Sequence, residues 1–396
     1  YALSGAVEDE VTGTVAIGHT ALTALTSGGE NTAVGYQAAD SILTGEQNTI
    51  MGYQAFAAAD GSESYNTVIG RAAMSAVNDN STASNIAIGA GALTGSAHAY
   101  IGNIVIGRNA LDNTTAAHTG TIAIGHEALT ACTTGSSNLA IGYQSMAALT
   151  TGGSNIAIGN NTLDAADAGE TGNIAIGEVA LGAMDEGSGN ANFNIGIGHA
   201  ALTGGAAGDM TGNIAIGAYA LNSTAANTHT GTIAIGYETL TALTTGANNV
   251  AIGYQALLTE DAGGNNTAIG YQSLKICNND SGGNTAIGKG AGIAVVAGYS
   301  NTLLGLGAGD SLTGGHSNTL VGRNSQASAV GGVNQSVVGM DTAGQADNSV
   351  TLGNTSVVSV FMGQNGDASV KCSNINFPGT QIASADANTL DDYEEG

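Results

Sequence analysis

Asn155-Ile156-Ala157-Ile158-Gly159 is followed by Asn173-Ile174-Ala175-Ile176-Gly177, and later by Asn266-Thr267-Ala268-Ile269-Gly270. With the glycine as register mark, twenty related copies run from Gly18 to Gly353. The step between marks is 17 to 19 residues, apart from 21 between Gly177 and Gly198 and 14 before Gly353. A unit this short cannot bury its own apolar face and must stack on its neighbours. The reading is therefore all-β, a parallel β-solenoid or β-roll of about twenty turns. With stacked strands about 4.8 Å apart, the rod would be on the order of 95 Å long.

Each position in the repeat obeys a chemical rule. The residue before the glycine is a large aliphatic, and the residue three before it is β-branched or aliphatic. Between them stands mostly alanine, as at Ala16, Ala87, Ala123 and Ala157. This period of two predicts a short strand with the isoleucines on one face and alanine on the other. The isoleucine face is expected to be the core, so that an aspartate at Ile158 or Ile176 would disrupt the local turns. Leu or Met four after the glycine, from Leu22 and Met74 to Leu257 and Leu274, supplies a second inward side chain. The glycine is expected either to take positive φ or to admit a neighbouring backbone. Asparagine stands four before it in fifteen of the twenty copies. An asparagine column can form an amide ladder between turns, or simply suit a tight turn. Glycine in every turn, with no sustained period of 3.6, argues against helix.

Composition narrows the function. The net charge of −25 with only six Lys plus Arg repels polyanions, so nucleic acid is not an expected partner. No run is long and apolar enough for membrane insertion. The absence of Trp, with four Phe, leaves little for a conventional core. The small number of large aliphatics per turn, with Ala, Ser or Thr always three after the glycine, suggests three chains sharing one axial core, a homotrimer. Cys132 and Cys277 fall in a column otherwise filled by residues such as Leu25 and Leu149 and are expected in the core; no disulfide framework or zinc spacing is present.

No converging acid, base or nucleophile stands out, so no catalytic residue, metal site or cofactor is expected and the chain is not read as an enzyme. The calcium β-roll nonapeptide is absent. One column does vary, the residue one after the glycine, which takes His19, His126, His199, several tyrosines and most of the cations. It tolerates variety as a solvent-facing column would. It could also contact glycans, and the best candidate group is Tyr237, Tyr254, Gln255, Tyr271 and Gln272, with tyrosine stacking on a sugar and glutamine bonding its hydroxyls. Along the chain, residues 1–339 read as the repetitive shaft. Residues 340–372 read as a neck, and residues 373–396 as a linker to a C-terminal domain not present.

The Asn-x-Ala-Ile-Gly-x-x-Ala motif resembles the head repeat of trimeric autotransporter adhesins, which are left-handed parallel β-rolls wound as trimers. Gly-Tyr-Gln-Ala-Leu with Thr-Thr-Gly turns resembles repeats of phage tail fibres and related virion appendages. Val350-Thr351-Leu352-Gly353-Asn354 is similar to segments that precede fibre tips. The closing Ser384-Ala385-Asp386-Ala387-Asn388-Thr389-Leu390-Asp391-Asp392-Tyr393-Glu394-Glu395-Gly396 is similar to a phrase of phage structural proteins. The resemblance implies a trimeric, non-catalytic fibre shaft on a virion, presenting a tip that binds a host cell-surface glycan or receptor. A bacterial surface adhesin whose rod binds host or matrix is the alternative. An ice-binding solenoid and an embedded depolymerase are weaker rivals.

Overall fold

The computed structural model describes the chain except residues 1, 5–10, 97, 167–168, 184–190, 205–209, 223–229, 358–359 and 361–396. The end of the neck, the linker and Cys372 lie outside the described residues. Residues Tyr1–Asn354 form one compact unit. It is a parallel β-solenoid, all-β, with no helix among the described residues.

Each turn contributes one three-residue strand to a parallel sheet, and the repeats pair without slippage. Ile156, Ala157 and Ile158 lie beside Ile174, Ala175 and Ile176, and those beside Ile195, Gly196 and Ile197. The stack runs from Val15–Ile17 to Val350–Leu352, which still pairs with Ser336–Val338. The strand hydrogen bonds continue into the flanking residues, with Ile156 N–H donating to Asn173 O and Gly177 N–H to Ile158 O, both at 2.8 Å. Several of the turns longer than 17 residues carry a second short pairing, such as Tyr100–Ile101 beside His118–Thr119.

The strand faces the opposite way from the expectation. Alanine at its centre is fully buried, whereas the flanking isoleucines are half-buried and point outward. The interior of one turn is narrow. Opposite the strand sit the small residue at plus three and the leucine at plus four, both fully buried, as with Ala180 and Leu181. Little room is left for a large side chain at the strand centre. Where leucine takes the centre at Leu303, glycine stands against it. A Cβ on Gly309 would lie 2.9 Å from Leu303 Cδ2, and one on Gly292 would lie 2.7 Å from Leu303 Cδ1. In the converse case Leu181 presses so closely on Gly196 that a Cβ there would come within 2.1 Å of it. At these positions large and small side chains are exchanged across the core, as close packing favours, while other turns bury both a larger centre and a large plus-four residue, as with Val105 and Leu111. The plus-three column therefore fills this chain's own core, and its Ala, Ser and Thr are not a surface for another chain. Its hydroxyls are satisfied inside, Thr162 Oγ1 donating to Gly177 O at 2.8 Å.

Both alternatives for the register glycine hold at once. From Gly18 to Gly339 its φ lies between 128° and 146°, a region open essentially to glycine alone. A Cβ there would also strike the next turn, 2.1 to 2.7 Å from the carbonyl oxygen of the following register glycine up to Gly322. The chain then turns through left-handed residues at plus two and plus four, such as Gln255 (φ 53°) and Leu257 (φ 49°). Each costs about 1 kcal/mol in an L-residue, and burial of the plus-four side chain offsets it.

The asparagines form the ladder and also cross-link each turn to the next loop. Asn155 Oδ1 accepts from Asn173 N–H at 3.0 Å and from its Nδ2 at 3.3 Å. Asn155 Nδ2 donates to Asn138 Oδ1 at 3.2 Å and to Glu170 O at 2.7 Å. The ladder is interrupted at Thr121 and Thr232, whose hydroxyls are buried without partners. The loop residue that receives the amide bond lies seven before the glycine. In 17-residue turns it is glycine, as at Gly135 and Gly152, because the next carbonyl oxygen lies 2.0 to 2.1 Å from where its Cβ would be. Longer turns have room there and fill it with buried Glu63, Tyr100, His118 or Met210.

Cys132 and Cys277 are buried and unpaired, and burial pushes the Cys132 thiol up to about 11. Both pack as core residues.

Candidate functional site

The residue one after the glycine leaves the bend pointing outward, so successive turns present it as a column along the rod. Tyr237, Tyr254 and Tyr271 fall in line there and are 40 to 47% exposed. Their rings stack on one another, with centroids 5.6 and 5.2 Å apart and planes within 9° of parallel. Above Tyr237 the column holds Ala218, and Tyr219 from the neighbouring column, two after Gly217, meets Tyr237 and His199 edge to face. A second stack joins His19, Tyr36 and Tyr53. Strand register alone sets this spacing, since each ring rides on its own turn.

The next column runs beside it and is made of amides. Gln272 Nε2 donates to Gln255 Oε1 at 3.0 Å, and Gln255 Nε2 donates to Glu238 Oε2 at 2.8 Å. Glu238 also pushes the Tyr237 phenol above its ordinary range by accepting its hydrogen bond. All five residues singled out from the sequence thus come together on one face. Their geometry alters what they can do. Inside the stack each ring face is covered by the next ring, so only edges and phenol groups face outward. A sugar ring cannot lie flat on Tyr254.

At the lower end of the stack the pattern breaks. After Tyr271 the aromatic column holds Lys289, Leu306 and Arg323, and after Gln272 the amide column holds Gly290, Gly307 and Asn324. Two adjacent glycines remove two side chains, leaving an open recess of about 220 Å³. Its walls include Tyr271, Gln272, Lys289, Ile293, Leu306, Asp310 and Asn324. Lys289 Nζ lies 5.7 Å from the centre of the Tyr271 ring, within cation–π range. Sequence reasoning stopped at Gln272 and missed this recess, although the Gly290 and Gly307 pair is readable once the repeats are aligned on their glycines.

Elsewhere the titratable groups serve structure. Buried Glu260 accepts from Gly263 N–H at 2.7 Å, and buried Glu63 from Gly61 N–H at 3.0 Å. His118 stacks on Tyr100 with centroids 6.1 Å apart, and burial lowers its pKa. Among the described residues, no group of three or more His, Cys, Asp or Glu is placed to hold a metal ion. No helix among them is long and apolar enough to cross a membrane.

No protein-family model and no curated protein matches this chain.

Proposed function

We propose that this chain is the non-catalytic shaft of a virion fibre, a homotrimer that presents a receptor-binding tip beyond the rod. The observation that carries the reading is the outward face of the strands. Its two columns, three before and one before each glycine, hold only Ile, Val, Leu, Met, Thr and Ser in all twenty repeats. Not one charge falls there in a chain carrying 31 Asp plus Glu. A sheet face left to water normally alternates with charged and polar residues. Here Ile17 is 59%, Met51 47% and Leu304 44% exposed. Each such side chain still has on the order of 1 kcal/mol to gain from full burial. Such a stripe along a whole rod marks a contact face. A closed ring of identical chains covers it on every copy, and the resemblance of the repeat to trimeric fibres makes the number three. The acidic residues lie mainly in the loops, away from this face, where they oppose side-by-side clumping of finished rods. The same net charge disfavours nucleic acid as a partner.

The threonines at 267, 285, 302 and 319 do align in one outward column. The other column there is Ile, Leu and Val, so the flat two-column threonine array of an ice-binding surface is not formed.

Paired charge substitutions test this reading. Ile158→Asp together with Ile176→Asp should leave the strand-rich circular dichroism intact, because both side chains point away from the chain's own core. They should nevertheless shift the sedimenting mass from three chains toward one. Ala157→Asp is the internal control: it buries a charge inside the turn and should cost several kcal/mol and melt the adjacent turns. An unchanged mass for the double variant would remove the shared axis from the account.

A further inference from the structure

The recess below Tyr271 has the chemistry of a ligand site, and the shaft reading does not require it. Tyr271 is the last ring of its stack: its lower face meets the flexible ammonium arm of Lys289 instead of another ring, and the space left by Gly290 lies beside that arm. The amide chain that starts at Glu238 ends at Gln272, because the next two residues of that column are glycines. Below the gap, Asn324 Oδ1 stands 2.8 Å and Asp310 Oδ2 3.2 Å from where a Cβ on Gly307 would be. Asn324 is oriented by its own amide, which donates to Asp341 Oδ1 at 2.8 Å. Asp310 is held by Gln326 Nε2 at 2.7 Å. Arg323 is engaged by Asp341, which leaves Lys289 as the cation facing the recess. Leu306, 52% exposed, and Ile293 complete an apolar side.

Carbonyl and carboxylate oxygens thus face one ammonium across an aromatic face. Acceptors in excess suit a ligand rich in hydroxyl donors. The aromatic face suits the C–H side of a pyranose ring, and the carboxylate of Asp310 disfavours an acidic sugar. We propose that this recess binds one neutral pyranose residue of an extended glycan, which swings the Lys289 arm off the lower face of Tyr271, stacks there, and is hydrogen-bonded by Lys289, Asp310 and Asn324. The edges of Tyr254 and Tyr237 and the amides of Gln272 and Gln255 would then border the next sugars along the rod.

Refilling the gap gives the cleanest test. Gly290 adopts φ 66°, and a Cβ there meets nothing within 4 Å. Gln37, Gln54, Gln144, Gln255 and Gln272 occupy the same column at φ 50° to 54°. Gly290→Gln should therefore fold like the parent while closing the recess. The full chain would be titrated with neutral hexasaccharides (cellohexaose, maltohexaose and a mannohexaose) and with a hexamer of uronic acid, using calorimetry and saturation-transfer NMR. The expected result is saturable binding of at least one neutral hexasaccharide, weakened about tenfold or more, 1.4 kcal/mol or above, by Gly290→Gln and by Tyr271→Ala. Tyr36→Ala, in the other stack, should leave it unchanged. Absence of saturable binding by every neutral hexasaccharide overturns the proposal, as does binding of the acidic hexamer alone. Equal affinity in the parent, Gly290→Gln and Tyr271→Ala does so too.

Discussion

Gly159→Ala is expected to unfold the turns around it, lowering stability by roughly 3 kcal/mol or more. Two penalties act together. The backbone at Gly159 has φ 141°, where an L side chain is strained. The added methyl would also lie 2.7 Å from both the carbonyl carbon and the oxygen of Gly177. The neighbour cannot step aside, because Gly177 N–H is bonded to Ile158 O at 2.8 Å and the same contact recurs at Gly198. Gly314, where a Cβ meets nothing within 4 Å and φ is not in the left-handed range, is the matched control: Gly314→Ala should change stability little. Hydrogen exchange read turn by turn checks the effect. Protection should fall around residues 140–180 in Gly159→Ala and stay at parent level in Gly314→Ala. Full protection in Gly159→Ala would show that the turns are not packed this closely.

The second large effect is expected at the asparagine ladder. Asn155→Leu keeps roughly the same size but removes both an acceptor and a donor. Asn173 N–H loses its side-chain acceptor and Asn173 Nδ2 keeps only Ala191 O, while Glu170 O loses the Asn155 amide and Asn138 Oδ1 keeps only the backbone N–H of residue 155, all in a buried setting. Each buried group left unmade costs about 1 to 3 kcal/mol, so a loss of about 3 kcal/mol or more is expected even after partial relaxation. The converse change should help. Thr232 already receives the amide side of the ladder, its N–H donating to Asn213 Oδ1 at 3.0 Å, but its hydroxyl is buried and unpaired. Thr232→Asn should continue the ladder and raise stability by about 1 kcal/mol. Thermal melting of the two variants beside the parent gives both signs in one experiment. A neutral Asn155→Leu would reduce the ladder to a turn preference.

The repeat period, the parallel stack, the glycine bend and the asparagine column were all legible in the sequence, because each depends on spacing and on a residue type with one strong physical preference. The facing of the strand was not. Alternation states that Ile158 and Ala157 point opposite ways, and hydrophobicity then favours Ile158 inward. What bears on the matter is the space across the turn, where a buried leucine such as Leu163 or Leu181 already takes much of the interior and alanine is the commonest fit. That is a three-dimensional volume constraint, and its sequence trace is indirect: Leu303 and Leu320 appear where Gly292 and Gly309 replace leucine. The left-handed residues at plus two were hidden for a similar reason, since glutamine there carries no mark of its backbone. For the candidate site, the register alone placed Tyr237, Tyr254 and Tyr271 in a row. Whether their faces were free depended on ring orientation, which spacing does not encode. The recess beside Lys289 arises from side chains that are missing, and a search for chemical groups passes over Gly290 and Gly307.

The inverted strand also changes the case for assembly. The small plus-three residues that first suggested close chain approach are consumed by the chain's own core. The isoleucines, expected to form that core, make the outward face that the proposed trimer would cover. Electron cryo-microscopy of the full chain at a resolution that separates individual solenoids tests this most directly. The account predicts three solenoids in each cross-section, with Ile158, Ile176 and their equivalents turned toward a common axis and the tyrosine columns outside it. Single solenoids with the isoleucine columns facing solvent would contradict it.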